Sequence, residues 1–468
     1  MAQRIATPLM RQLQTYRHQV LAAPTMLDDE LLTPSDVATA LAQENFQGRN
    51  RLFPPHVTLW TFLLQVLSPD GSCRDALSRL RPWLIANGHQ PCSPNTGSYC
   101  KARKRLPEGA VATLARQSGQ QLCEQTPAAW LWKGRRVTIV DGTTVSMADT
   151  VANQAAYPQQ RAQQPGLGFP IVRAVAFFDL GCGAWTTLGI GPYRGKETGE
   201  MALCREQQRY LQRGDVMLAD CYYSAYWNLA GLANRGIDYV GRQPHRRTTD
   251  FRRGQRLGRD DPMVSWPKPA KPAWMTPEAY AELPDQVSVR EVRVRVHRRG
   301  FRTRVFEVVT TRLDAMLYRT QDLAGLYWER WHCELDLRSI KTVLGMDVLR
   351  CQTPEMVRKE LWMYMLAYNL IRAVMMRAAR SGGLCPRQIS FKGAVQAVNG
   401  FIPVLVLAKD EVVAALLDAL WLSVAAHRVG NRPNRIEPRA VKRRPKPHKL
   451  LRVPRHKARK RLETGLAA

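Results

Sequence analysis

No eighteen-residue stretch of the 468-residue chain is apolar and free of charge, which excludes a membrane-spanning helix. Met1 to Ala6 lack the uninterrupted apolar run of a signal peptide, so a soluble, cytoplasmic protein is expected. The ten cysteines (73, 92, 100, 123, 182, 204, 221, 333, 351, 385) contain no Cys-x-x-Cys pair and no matching histidine spacing. They are therefore read as reduced packing residues rather than a disulfide framework or a structural zinc module. Acidic residues are scarce: 39 Asp and Glu face 69 Lys and Arg, a formal charge of +30. Such a field favours a polyanionic partner, of which nucleic acid is the commonest.

What is present is long enough for several domains and at least one sizeable core. Residues 1–125 read as helical, from the spacing of Leu59, Trp60, Phe62, Leu63, Val66 and Leu67. A second helix is expected from Cys73 to Trp83, ending at Asn87-Gly88, and a third from Ser93 to Leu106. The third carries Lys101, Arg103, Lys104 and Arg105. A basic helix behind two packed ones has the layout of a helix-turn-helix that grips DNA phosphates, and equally of a solvated helix in an accessory domain.

From Arg135 the pattern changes to strands. Val137 to Val140 runs into Asp141-Gly142, and Ile171 to Leu180 with Trp185 to Ile190 forms a hairpin around Gly181-Cys182-Gly183. Glu197 to Gln212 reads as helix, Val216 to Ala219 as a buried strand ending at Asp220, Ser224 to Asn234 as helix, and Asp238 to Gly241 as a fifth strand. That order is the order of a ribonuclease-H-like α/β domain, a mixed sheet flanked by helices. Residues 243–318 interrupt it as a β-rich insertion, in which Val289 to Val296 and Arg302 to Thr311 alternate valine with arginine. One face of these strands should be buried and the other strongly cationic.

Helical periodicity resumes near Asp322 and runs to Arg380, with a break at Thr353-Pro354; a last helix covers Lys409 to His427. The expected domains are thus 1–125 (helical, DNA-binding), 126–242 and 319–380 (the two parts of the catalytic domain), 243–318 (insertion), 381–430 (helical C-terminal region) and 431–468. In that last segment basic residues alternate with prolines, which suits a disordered arm lying on phosphates.

Cutting and joining phosphodiesters requires an activated nucleophile and a stabilised leaving oxygen, a task that two metal ions held by carboxylates can perform. Asp141 and Asp220 close the first and fourth strands, which lie side by side in this topology. Asp215 precedes its strand, and Asp149 and Asp179 sit beside turns, so they are set aside. At about 100° per residue, Tyr327, Arg330, Glu334 and Lys341 fall near 0°, 300°, 340° and 320° of one helical stripe, whereas Glu329 and Asp336 fall near 200° and 180°. Glu334 alone shares a face with Tyr, Arg and Lys. A surface stripe of ion pairs has the same spacing.

The run Tyr327-x-x-Arg330-x-x-x-Glu334-x-x-x-x-x-x-Lys341 resembles the Tyr-Arg-Glu-Lys signature of DDE transposases of the insertion-sequence-four family. Val140-Asp141-Gly142-Thr143 and Ala219-Asp220-Cys221-Tyr222-Tyr223 look like that family's two aspartate motifs. The resemblance implies that Asp141, Asp220 and Glu334 hold two Mg²⁺ or Mn²⁺ ions. It further implies that Arg330, Lys341, Tyr327 and Arg242 contact phosphates, that double-stranded DNA is the substrate, and that the chain works as a homodimer on it. Cys221 departs from the arginine common there. Some members hold a flipped base against an aromatic side chain, for which Trp266, Trp274, Trp328 and Trp331 are candidates. The alternative is a DNA-binding regulator without catalysis; a covalent tyrosine or serine recombinase lacks the Arg and His set it would need.

Overall fold

The computed structural model describes residues 31–46, 52–86, 90–195, 198–244, 246–295, 305–405, 408, 410–430 and 450–464. Among the described residues five helices come first: α1 (Pro34–Gln43), α2 (Pro55–Leu67), α3 (Cys73–Ala86), α4 (Gly97–Arg105) and α5 (Glu108–Glu124). Thr33 starts α1 with a capping box, exchanging hydrogen bonds with Asp36. The expected end of α3 at Asn87-Gly88 lies outside the described residues. On α4, Lys101, Lys104 and Arg105 are exposed, but Arg103 is only 8% exposed. Its guanidinium stacks on Phe62 and Tyr99 and donates to Gln65 Oε1 at 2.9 Å. Its place on α4 turns it inward toward α2, which corrects the expectation that it meets DNA.

The sheet is built from β1 (Val137–Met147), β2 (Ile171–Asp179), β3 (Trp185–Pro192), β4 (Val216–Ala219), β5 (Asp238–Arg242), β6 (Gln255–Gly258), β7 (Asp261–Pro267), β8 (Gln286–Arg295), β9 (Val305–Thr310) and β10 (Val348–Leu349). Between them lie α6 (Val151–Ala156), α7 (Glu200–Gln207), α8 (Tyr226–Asn234), α9 (Pro277–Ala281), α10 (Thr320–Glu329) and α11 (Trp331–Arg338). The order across the sheet is β3-β2-β1-β4-β5-β9-β8-β7-β6, with β10 added beside β1. The strands of 243–318 therefore extend the same sheet, because β9 pairs antiparallel with β5.

The cationic face expected on β8 is largely neutralised. Arg290 is buried and forks onto Asp261 (2.6 and 2.5 Å), while Arg293 meets Asp260 and Glu307. The acids that accomplish this sit on neighbouring strands and turns, so the alternation along β8 did not reveal them. Val296 and residues 302–304 of the two expected strands fall outside the described residues.

β1 is longer than Val137 to Val140 because β2 pairs with it from Thr138 to Ser146. On its other edge β4 covers only Val137 to Ile139, and β10 covers only Ser146 and Met147. Between those partners β1 has a bare edge. Side chains alternate along β1: Ile139, Val145 and Met147 join one core cluster, whereas Val140 joins the other, with Leu203 and Cys204 of α7.

The long α12 (Pro354–Ser381) packs into the larger cluster, so Leu361 to Met376 are core rather than surface. α13 (Phe391–Leu405) and α14 (Asp410–Ala426) pack beside it; Leu420 and Val424 are buried, and Leu422 is 75% exposed. Residues 431–449 of the basic arm, and Lys409, lie outside the described residues. Part of the remainder is ordered, contrary to expectation: Arg455–Glu463 form α15, and Pro454 before it sits against Gly166. A proline at the helix entry and an uninterrupted nine-residue run account for it.

Candidate active site

Asp141 is a mid-strand residue, not a strand terminus as the sequence suggested. It nevertheless lies where a terminus matters, since β4 has just ended. The parallel register pairs Ile139 with Leu218, so two residues further on Asp141 stands opposite Asp220. Both follow the alternation of Ile139 and Leu218 and present side chains to the face covered by α10 and α11. Asp220 also starts a 3-10 turn, its Oδ1 accepting from the Tyr222 N–H at 2.9 Å.

The third acid arrives from the helical layer. Arg330 Nη2 donates to Glu334 Oε1 at 2.8 Å, and Arg330 Nη1 lies 3.8 Å from Asp141 Oδ2. One guanidinium thus links Glu334 to β1. Burial pushes the Asp141 carboxyl up to about 6; Asp220 and Glu334 add to the rise, and the Gly142 N–H and Arg330 oppose it. The charge on Arg330 is favoured despite its burial by the hydrogen bond to Glu334 and by Asp141.

The helix does not run unbroken. α10 stops at Glu329, Arg330 forms the joint, and Ser339–Val343 widen into a π turn. The stripe of four drawn at a constant angle is therefore bent, and Lys341 is delivered to the bare edge of β1, where Nζ donates to Thr144 O at 2.8 Å. Burial lowers its pKa. Tyr327 packs on Phe306 (ring centroids 5.0 Å apart), and burial raises its hydroxyl pKa against the pull of Arg330 and Arg242. Arg242 ends β5, its carbonyl accepting from Ser224 Oγ at 2.6 Å. Lys101, Lys104 and Arg105 stand on α4, away from the sheet.

The acids set aside are otherwise engaged. Asp179 accepts from the Cys182 N–H within its turn (2.8 Å), Asp215 from the Gln212 N–H (2.9 Å), and Asp336 is buried between Arg372 and Arg387. Among the aromatic candidates, Trp266 is 2% exposed, donates to Glu291 and lies under Arg247, so no base reaches it. Trp274 stacks with Arg205, Trp328 is half-buried, and Trp331 is 55% exposed, one turn before Glu334.

Sequence reasoning missed Glu200, the first residue of α7. Its carboxylate lies against Gly142: a Cβ built on that glycine would be 2.7 and 2.8 Å from the two oxygens. Nothing local separates Glu200 from other acids, and only the fold brings it to β1.

A family model described as the transposase DDE domain matches residues 132–370, just over half of the chain and the span holding Asp141, Asp220 and Glu334. The chain belongs to the DDE transposase family. The transposase is 27% identical over 442 residues to "Transposase InsG for insertion sequence element IS4" of Escherichia coli (strain K12), covering 92% of this chain and 94% of that protein. A solved structure of the piggyBac transposase synaptic complex with hairpin DNA aligns with 87% of this chain and 85% of its own at 11% identity, with a TM-score of 0.44. The chain is accordingly a DNA-cutting and strand-transferring enzyme, of a family that works with divalent metal ions. No helix among the described residues is long and apolar enough to cross a membrane.

The acids fit such ions. Three carboxylates offer hard oxygen donors, two of them paired with Arg330, and burial raises the Asp141 pKa with Asp220 and Glu334 adding to the rise. Because the folded-state pKa lies above the ordinary 3.8, the penalty of the ionised form is absent below pH 3.8 and fully felt above about pH 6. The rise from 3.8 to about 6 corresponds to at most about 3 kcal/mol. Asp141→Asn is expected to raise the Tm of the metal-free protein by several degrees near pH 7.5, the gain fading as the pH falls toward 4. A pH-independent difference between the two melting profiles would contradict this account.

Proposed function

We propose that the transposase binds the terminal inverted repeats of an insertion sequence, nicks the DNA to free 3′ hydroxyls and joins these to target DNA. The observation that carries the reading is the convergence of Asp141, Asp220 and Glu334 at the place where β4 leaves β1, with Arg330 between two of them. Asp141, Asp220 and Glu334 would hold two Mg²⁺ or Mn²⁺ ions, which supply nucleophile activation and leaving-group stabilisation. In this reading the domain is ribonuclease-H-like, and 243–318 is its insertion.

The chain's own groups position the DNA. Were Glu334 to hold a cation, Arg330 would be left to present its guanidinium to the phosphate beside the scissile bond. Lys341 stands over the bare edge of β1 as a point charge for the next phosphate. Tyr327 and Arg242 line the approach from β5, and Trp331 is the aromatic surface left open for an unstacked base. Two ends need two active sites, so the enzyme works as a homodimer on DNA. The helical domain and the basic arm bind flanking phosphates, through Lys101, Lys104 and Arg105 in the former. The protein acts in the cytoplasm, on the nucleoid.

Purified protein incubated with Mg²⁺ and DNA carrying the sequences that flank its coding region is expected to yield nicks with 3′ hydroxyls at the element ends. Failure of the parent protein to cut under any divalent ion would turn the reading to a binding regulator.

The exposed and buried residues of α4 should separate cleanly. Replacing Lys101, Lys104 and Arg105 by alanine is expected to flatten the salt dependence of binding, by a slope of about 0.9 for each phosphate that is no longer neutralised, without changing the Tm. Arg103→Ala should lower the Tm and leave that slope unchanged, because it removes a buried guanidinium stacked on two rings. Equal slopes for parent and triple variant would remove α4 from the DNA interface.

A further inference from the structure

Glu200 occupies a position that the three-acid reading leaves unexplained. It is half-buried, yet its carboxylate has no hydrogen bond or ion pair with any described residue. Its environment is built for it. Gly142 faces the α7 side of the sheet, as Val140 does two residues earlier, and the Glu200 carboxylate takes up the space a side chain at 142 would fill. A residue with a Cβ could not stand there without displacing it. The adjoining edge of β1 is bare, since β4 ends at Ala219 and β10 begins at Val348. A carboxylate resting on Gly142 therefore reaches the opening in the sheet from the face opposite Asp141.

A second observation points to the same opening. Tyr223, three residues after Asp220, is 1% exposed, and its hydroxyl is buried without a hydrogen-bond partner among the described residues. That hydroxyl lies in the field of Cys204, Glu200, Asp141 and Asp220. An orphaned buried donor is costly unless a ligand or a ligand's water shell satisfies it. The electrostatic neighbours also order the acids: Asp141 feels Asp220 and Glu334, and Glu200 feels Asp220.

We infer that Glu200 is a fourth carboxylate of the metal site, serving the divalent cation on the Asp220 side, with Gly142 as the notch that admits it and the Tyr223 hydroxyl as a donor to that cation's water shell. This rests on the reading of Asp141, Asp220 and Glu334 as the metal site. The cation that acts on Glu200 is Arg173 of β2, whose Nη1 donates to Thr198 O at 2.9 Å and whose guanidinium lies over Tyr193; it partly offsets the charge of Glu200 without pairing with it.

The test is Mn²⁺ binding to the metal-free full-length protein, read from loss of the free-ion electron paramagnetic resonance signal. The parent should bind two ions. Glu200→Gln should weaken one of them about 10- to 100-fold and leave the other, the scale seen when carboxylates around a metal are removed. Gly142→Ala keeps the glutamate but fills its notch, at a position without positive φ, and should reproduce the loss. Melting of both variants in EDTA should be no lower than that of the parent, which separates ligand loss from unfolding. Parent-like Mn²⁺ binding by both variants, with binding lost in Glu334→Gln, overturns the role of Glu200 and leaves the three-acid site standing. Unchanged binding in Glu334→Gln and Asp141→Asn overturns the site itself, and this inference with it.

Discussion

Glu334→Gln is expected to bind terminal-repeat DNA as tightly as the parent and to cut it at least about a thousandfold more slowly. That factor follows from losing several kcal/mol of charge stabilisation, at about 1.4 kcal/mol per tenfold in rate. The change is isosteric, so Arg330 keeps a hydrogen-bonding neighbour at 2.8 Å and the joint between α10 and α11 keeps its packing. DNA affinity should be almost unaffected, because phosphate contacts come from cations and not from this carboxylate. Nicking and strand joining must fall together, since both use the same site. A variant that binds normally and still nicks within about tenfold of the parent would remove Glu334 from the chemistry, whatever became of the other acids.

Asp336→Ala should have the largest effect on stability. Asp336 lies two residues beyond Glu334 and is nearly inaccessible; one oxygen takes Arg372 of α12, the other Arg387 at 2.6 Å. Arg387 also donates to the carbonyls of Asp179 (2.8 Å) and Leu180 (3.0 Å), so the acid ties α11, α12 and the β2–β3 hairpin together. Removing one partner of a buried ion pair costs about 3–5 kcal/mol, because the remaining charges stay desolvated and unpaired. Here two guanidinium groups would be stranded. A fall in Tm on the order of ten degrees is expected from calorimetry, and activity should drop with it because α11 carries Glu334. A Tm within about a degree of the parent would show that the cluster is not holding these elements together.

These two acids show how far a reading of residues alone carries. Helical angle separates Glu334 from Asp336, since two residues on a helix differ by about 200° whatever surrounds them. A constant helical angle does not hold as far as Lys341. A joint at Arg330 and a π turn at Ser339–Val343 intervene, and Lys341 on that turn donates to Thr144 O of β1. On α4 the basic run was correct as composition, but Arg103 turned inward to Phe62 and Tyr99. The arginines of β8 met acids that lie elsewhere in the chain.

The sequence by itself determined the class of enzyme, the charge that suits it to DNA, the order of strands and helices, and the candidate acids Asp141, Asp220 and Glu334. Those properties are carried by local spacing and by residue type. Only the tertiary structure decided which acids meet. The opposition of Asp141 to Asp220 is a matter of parallel register, which no local pattern encodes. Glu200 lies 58 residues beyond Gly142 in the chain and reaches it only because α7 packs on β2 and β3, beside the point where β1 lacks a side chain. Contacts between distant segments are settled by packing, and packing is a property of the whole chain.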